Sequence, residues 1–351
     1  MRISALNLAV LPHLVVVTLR TDEGLEGHGF AQKGRSVAQA IAEVVRPQVV
    51  GESPFDYEKI WHKMLDADRW GGSLPFNAYG AVDVALWDLM GKAVGLPIYK
   101  LLGGYRDRVK AYNTTGPIAE PEVQAQAALA AKEAGFTAYK LHPKGGYDRD
   151  LAACRAVRET VGSQMRLMSD PVAAYNHQEA LRMGRELEKL DYYWYEEPLM
   201  DPDIEGYVEL TRQLEIPVVG VEWAHGGLWG LYATPQYLVR KAVDIVRSDV
   251  SWKGGITGLL KTFHLCEAFN VNCEVHTAMM SLMDVANLHV ICSRKNCEYF
   301  EYAGPLQKGI GFGIKQPIRL DGEGYVHVPQ GPGLGVDLNW DELDAHIVET
   351  L

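Results

Sequence analysis

The chain has no C-x-x-C pair, no apolar run of membrane-spanning length and no block of like charge. Its five cysteines, Cys154, Cys266, Cys273, Cys292 and Cys297, are odd in number and carry no paired spacing. They read as small buried hydrophobes in a reducing cytoplasm, which excludes a disulfide frame. Basic charge is also scarce, because 34 Lys and Arg stand against 45 Asp and Glu and leave a net charge of −11. Nucleic acid is therefore not an expected partner, since it wants a basic face. An acidic small molecule would need local positive charge, from a metal or a lysine. Without a span long enough for a bilayer, no membrane partner is expected either. The opening MRISALNLAVLPHLVVVTLR is interrupted by Pro12 and His13, and reads as strand–turn–strand rather than a signal peptide. The expected location is cytoplasmic.

What the sequence does have is apolar mass. Of 351 residues, 47% are hydrophobic, enough for a large core in one or two domains. Residues 1–108 read as α+β. VVVTLR, a TDEG turn and GHGF suggest a hairpin, and helical patterns follow at 36–48, 54–66 and 77–94. The last of these carries Ala81, Val84, Ala85 and Leu89 at helical spacing, with Gly95 as its stop. Between the second and third lies RWGGSLP (69–75), a turn or a mobile loop. From 109 the pattern changes to short β-rich runs alternating with helical ones. The runs are VKAYN (109–113), AYKLH (138–142), RLMSD (166–170), YYWYE (192–196), PVVGVE (217–222), DIVRSD (244–249), NCEVH (272–276) and EYFE (298–301). Eight such repeats, with the last helix short or missing, predict an α/β barrel.

The strand ends carry the chemistry. From the third onward they close on Asp170, Glu196, Glu222, Asp249, His276 and Glu301, separated by 26, 26, 27, 27 and 25 residues. That is one βα unit each time, and the carboxyl ends of barrel strands form the active-site mouth. A single charged residue after a strand is commonplace, because loops are polar. Six at a steady period, several behind apolar runs, are a constellation. Clustered carboxylates repel and resist burial unless a cation joins them.

Asp170, Glu196 and Glu222 sit on three neighbouring strands. Three oxygen ligands without a thiolate suit a hard cation, above all Mg²⁺. Glu196 is chosen over Glu197 because adjacent strand residues face opposite ways. Asp249 can reach His276 on the next strand and fix its tautomer. Glu301 can exchange a hydrogen bond with a substrate carboxylate. Across the metal strands, Lys140 and His142 lie two residues apart and share a face. This layout suits removal of a proton next to a carboxylate, where positive charge must stabilise the ene-diolate that forms.

Taken together, these motifs resemble the mandelate racemase subgroup of the enolase superfamily. The resemblance covers nearly the whole chain: VVVTLRTDEGLEGHG and AVDVALWDLMGKAVGLPIYKLLGG, the Asp170/Glu196/Glu222 set, SDVSWKGGITG, VNCEVH, and VPQGPGLGVDLN at 328–339. It implies the fold class α/β, a (β/α)₇β TIM-type barrel with an α+β N-terminal capping domain. The cap would span 1–108, completed by 315–351, and the barrel 109–314. It further implies Mg²⁺ on Asp170, Glu196 and Glu222, a His276–Asp249 acid/base dyad, and Glu301 hydrogen-bonded to the substrate carboxylate. Specificity would come from cap loops near Leu11–His13 and Arg69–Pro75. Two departures stand out. The family's K-x-K is Lys140-Leu141-His142 here, and its D-x-N is Asp170-Pro171-Val172.

Dehydration of an aldonate or aldarate to a 2-keto-3-deoxy acid is the preferred reading. The expected mouth residues His13, Arg69, Trp70, Tyr175, His177, Trp223 and His225 include hydrogen-bonding types that suit a polyol acid. A racemase, epimerase or cycloisomerase on the same site remains open, because His142 and His276 could serve two faces of one carbon. More distant readings are a phosphate-binding barrel, from GIGFG (309–313), and a non-catalytic metal-binding protein. The apolar cap makes a homo-oligomer the expected state.

Overall fold

Alternating apolar residues near the start of the chain form three antiparallel strands, β1 (Ile3–Val10), β2 (Leu14–Thr21) and β3 (Glu26–Gln32). Pro12 and His13 lie in the β1–β2 turn, and Leu8 pairs with Val17, which pairs with Gly29. This is a computed structural model, and it describes residues 1–71, 74–277, 281–303 and 311–351. The first helical pattern is broken into α1 (Arg35–Ala40), a π-helical turn (Ile41–Val45) and α2 (Arg46–Val49). Helix α3 (Tyr57–Gly71) runs further than expected, so Arg69 and Trp70 end a helix rather than sit in a loop. Gly72 and Ser73 of that stretch fall outside the described residues.

Helix α4 (Asn77–Val94) has no solvent face along Asn77–Gly91. One side meets β3 so closely that a Cβ on Gly29 would lie 2.0 Å from the Ala81 carbonyl oxygen. The other side meets the barrel. The helix carries two acids in this buried stretch because each is used. Asp88 accepts the backbone N–H of His28 and of Leu334, at 3.0 and 2.9 Å. Asp83 accepts both the backbone N–H and the hydroxyl of Thr257, at 2.9 and 2.7 Å. Buried polar groups persist when they are bonded in this way. Gly95 ends the helix in the left-handed region, and a short α5 (Ile98–Leu101) leads to the barrel.

Eight parallel strands follow: β4 (Arg108–Thr114), β5 (Ala138–Leu141), β6 (Arg166–Ser169), β7 (Trp194–Glu196), β8 (Val218–Gly220), β9 (Ile245–Ser248), β10 (Asn272–Val275) and β11 (Tyr299–Ala303). Each pairs with the next, and β11 closes on β4 through five registered residues, Tyr299↔Lys110 to Ala303↔Thr114. Seven helices connect them: α6 (Pro121–Glu133), α7 (Tyr147–Val161), α8 (His177–Lys189), α9 (Ile204–Gln213), α10 (Gly230–Val239), α11 (Gly255–Ala268) and α12 (Ser281–Ser293). The barrel is therefore (β/α)₇β, with all eight anticipated strands present. Its floor is a plug of Tyr112, Ala138, Met168, Trp194, Val219 and Tyr299. Above the floor lie Lys140, Glu196, Arg247 and Glu301, all buried.

After β11 the chain serves both parts. A strand β12 (Tyr325–His327) runs antiparallel to β4. A short α13 (Trp340–Asp344) then leads to β13 (Glu349–Thr350), which pairs with β1 at the edge of the cap sheet. Gly309 and Ile310 of GIGFG lie outside the described residues, and Gly311 and Gly313 take positive φ in a turn. Among the described residues, no helix is long and apolar enough to cross a membrane.

Candidate active site

The carboxyl ends of the barrel strands surround a cavity of about 220 Å³, lined in part by His142, Asp170, Glu197, Glu222, His276 and Glu301. Local backbone geometry aims these groups inward. Val172 and Ala173 after β6, Glu197 after β7 and Val221 after β8 all have positive φ, between 41° and 83°. A β-branched residue such as Val221 rarely accepts that conformation, and such strain gathers at functional sites. Each turn reverses the chain just where a carboxylate is presented.

At the base of the cavity, four carboxylates share two buried cations. Lys140 Nζ lies 2.8 Å from Glu196 Oε1, 2.9 Å from Glu301 Oε1 and 3.3 Å from Asp170 Oδ2. Arg247 Nε lies 2.8 Å from Glu196 Oε1 and 3.3 Å from Glu222 Oε2, and its Nη2 binds Glu301. Burial alone would raise Glu301, yet Arg247 and Lys140 hold it well below the carboxylate range. Glu196 moves the other way. Burial, with Asp170 and Glu222 crowding it, raises it despite the same two cations. Burial and the nearby Glu222 push Glu197 up as well. Counted as fully ionised, four acids against Lys140 and Arg247 leave a formal deficit of two positive charges, part of which a charged His276 covers.

A hard dication fits that deficit and the all-oxygen donor set of Asp170, Glu196 and Glu222. The three side chains are turned onto Lys140, Arg247 and His142, however. Among the described residues, no three acids or histidines are arranged as a ready-made ion cage.

The two histidines flank this set. In strand order, β6, β7 and β8 lie between β5, which leads into His142, and β9–β10, which lead into Asp249 and His276. His276 Nδ1 is 2.9 Å from Asp249 Oδ2. Its Nε2 is 3.9 Å from Glu222 Oε1. Burial alone would lower the imidazole, but Glu222 and Asp249 outweigh it and push it up to about 9. His142 Nε2 is 3.0 Å from Asp170 Oδ2, and its Nδ1 faces Thr114 Oγ1 at 3.4 Å.

Several expected residues have other places. Lys140 is buried and tied to Asp170, Glu196 and Glu301. Glu301 lines the cavity, but its oxygens are engaged by Lys140, Arg247 and the Thr277 amide. Tyr175 is buried and donates its hydroxyl to Asp150 Oδ2 at 2.7 Å, away from the mouth. The reversal at Val172–Ala173 sends it outward to α7. His13, Arg69 and His177 are exposed and do not line the cavity, and Trp70 is 86% exposed. Trp223 does line it, and also lines a neighbouring cleft of about 980 Å³ that contains His225.

Three site residues were not anticipated. Arg247 sits two positions before Asp249 on one strand, so the same-face rule that joins Lys140 to His142 also picks it out. Glu197 faces the cavity because its left-handed backbone breaks the strand alternation. Trp252 stacks on His276, with ring centres 4.3 Å apart and planes 23° apart. No sequence signal marks it beyond its place three residues after Asp249.

Residues 7–103 match the family model of the mandelate racemase / muconate lactonizing enzyme N-terminal domain. Residues 122–342 match the enolase C-terminal domain-like family. The chain is 32% identical over 342 residues to arabinonate dehydratase of Saccharolobus solfataricus, covering 94% of this chain and 89% of that one. It is 30% identical over 347 residues to L-talarate/galactarate dehydratase of Salmonella typhimurium, covering 94% and 83%. A crystal structure of D-glucarate dehydratase from Agrobacterium tumefaciens, complexed with magnesium, superimposes with a TM-score of 0.91. It is 33% identical, with 99% and 100% of the two chains covered.

Proposed function

This chain belongs to the mandelate racemase / muconate lactonizing enzyme family of the enolase superfamily, and on that premise we propose that it dehydrates an acid sugar. The substrate is an aldonate or aldarate, and the product is a 2-keto-3-deoxy acid. The observation that carries the reading is the pair of imidazoles, His142 and His276, lining one cavity on either side of a carboxylate set. Dehydration needs one group to take the α-proton and another to protonate the departing 3-hydroxyl.

Asp170, Glu196 and Glu222 would hold Mg²⁺, which supplies charge stabilisation for the substrate carboxylate as the α-proton leaves. His276 takes that proton at Nε2 in its neutral form, which a cation on Glu222 would favour by offsetting the carboxylate that raises the imidazole. Asp249 binds Nδ1 and so fixes the tautomer that leaves Nε2 free. His142 gives its proton to the 3-hydroxyl, which departs as water, and the resulting enol tautomerises to the ketone. Lys140 and Arg247 bridge the carboxylates and hold Glu301 ionised. Thr114 Oγ1 lies within reach of His142 Nδ1 and orients the ring.

A panel containing arabinonate, galactarate and D-glucarate with Mg²⁺, scored for 2-keto acid and for uptake of solvent deuterium at the α-carbon, tests this. His276→Asn should abolish exchange and elimination together. Exchange retained in that variant sinks the assignment of the base. Epimerisation of a substrate without water loss would favour the isomerase reading instead.

A further inference from the structure

His276 is gripped by more than its carboxylate partner. Its ring lies almost parallel to the indole of Trp252, with centres 4.3 Å apart. Trp252 in turn lies 4.2 Å from Trp223, with planes 32° apart. Trp223 meets the edge of Phe76 at 5.9 Å and 78°. Phe76 immediately precedes α4 and belongs to the cap. Four rings therefore form one column from the cap to the imidazole.

The column is anchored at both ends. Asp249 sets its inner end, for Oδ2 binds His276 Nδ1 while Oδ1 accepts the Trp252 backbone N–H at 2.5 Å. One carboxylate thus fixes both stacked partners. At the outer end, Phe76 lies on Gly226, where a Cβ would come within 2.8 Å of its ring. The next residue, Gly227, donates its N–H to the Trp252 carbonyl at 2.5 Å.

A single in-plane hydrogen bond locates Nδ1 but leaves the imidazole free to rock about the N···O axis. Rocking swings Nε2, the atom that must face the reacting carbon. A flat ring in van der Waals contact blocks that motion, since any tilt drives ring atoms into the indole. Offset parallel rings are also a favourable aromatic arrangement. The middle of the column has a second task. Trp223 is 45% exposed and forms part of the cavity wall. A substrate pressed against it is therefore pressed against the support of the base.

We propose that Trp252 is a positioning residue that fixes the direction of His276 Nε2, and that Trp223 and Phe76 transmit the seating of the cap to it. This rests on the reading of His276 as the base. Removing the stack should cost turnover rather than binding. Misplacing a reacting group by an ångström can cost about 100-fold.

The test compares Trp252→Leu, Trp252→Phe, Trp223→Leu and His276→Asn on whichever panel acid turns over. Trp252→Leu should lower kcat between about 10- and 100-fold, with KM and the Mg²⁺ Kd changed less than about twofold. Trp252→Phe, which keeps a flat ring, should recover most of the loss, and Trp223→Leu should fall between. NMR of the Mg²⁺-free protein gives a readout that needs no substrate. The His276 ring protons, identified by their absence in His276→Asn, should resonate upfield through the indole ring current and return in Trp252→Leu. Wild-type kcat in Trp252→Leu overturns the proposal, and so does equal damage in Trp252→Leu and Trp252→Phe. Exchange lost in His276→Asn but intact in Trp252→Leu refutes this proposal alone. Exchange surviving in His276→Asn refutes the assignment of the base, and this proposal with it.

Discussion

Replacing Arg247 with methionine removes a fully buried guanidinium while keeping most of its apolar stem. In the wild type that group touches Glu196 at 2.8 Å, Glu222 at 3.3 Å and also Glu301. Lys140 alone would then face four carboxylates. Removing one partner of a buried ion pair costs about 3–5 kcal/mol, because the other charge stays behind uncompensated. In EDTA the variant should lose that much unfolding free energy. Mg²⁺ should act in the opposite sense. The guanidinium competes with a cation for Glu196 and Glu222, so its loss should tighten Mg²⁺ binding about tenfold, or about 1.4 kcal/mol. At about 100 times the wild-type Kd, Mg²⁺ adds about 2.7 kcal/mol to the wild type and about 4.1 kcal/mol to the variant. Urea unfolding with EDTA and with Mg²⁺, together with calorimetric titration of Mg²⁺, measures every quantity in this comparison. Equal stability of the two proteins in EDTA would refute the electrostatic account of the barrel interior. Weaker Mg²⁺ binding by the variant would show that Arg247 organises the ligands rather than competing for them.

Three further outcomes are expected. His142→Ala should keep α-proton exchange while losing water elimination at least about 100-fold, the usual worth of a general acid; loss of both together would make His142 part of proton abstraction. His289 is buried neutral, accepting the Tyr99 N–H at Nδ1 and bonding the Leu334 carbonyl through Nε2. Burial pushes it from 6.5 down to about 4. Above pH 6.5 both folded and unfolded forms are neutral and its contribution is fully present. As the pH falls toward 4 the unfolded chain binds the proton first, and up to about 3 kcal/mol is lost. His289→Gln should flatten that acid limb in unfolding curves taken between pH 7 and 4; parallel curves would contradict the assignment. Gly29→Ala would drive a Cβ to 2.0 Å from the Ala81 carbonyl oxygen. It should cost about 3 kcal/mol, the upper end for overpacking, by forcing α4 off the sheet; thermal unfolding unchanged from the wild type would count against it.

Strand-end periodicity made the barrel legible, because each βα unit must end near one mouth whatever lies between. The same-face rule then joined Lys140 to His142. Applied to β9 it also joins Arg247 to Asp249, which directly follows that strand. Other sites were hidden for physical reasons. Tyr175 follows the end of β6, yet Val172 and Ala173 reverse the chain in a conformation that nothing about valine or alanine announces. Glu197 reaches the cavity by the same kind of turn. Trp252 and Trp223 read as apolar residues, and stacking geometry leaves no spacing signature. In α4, helical spacing marked one apolar face. The opposite face, which carries Asp83, is buried against the barrel as well, and Asp88 sits within the apolar face; their partners Thr257 and Leu334 lie far along the chain.

Helix α4 also bears on how such molecules can be recombined. A chimera that exchanges residues 1–108 between two relatives cuts the chain in the right place and the structure in the wrong one. The true seam runs through the contacts of Asp83 and Trp87 with Thr257, and of Trp61 with the Gly254 carbonyl. A transplanted cap must therefore bring the segment that begins α11, or arrive with one acid and two indoles facing strangers. The unit that can be inherited or exchanged intact is the cap together with the turn that carries Asp249 and the closing segment that brings Leu334 and β13.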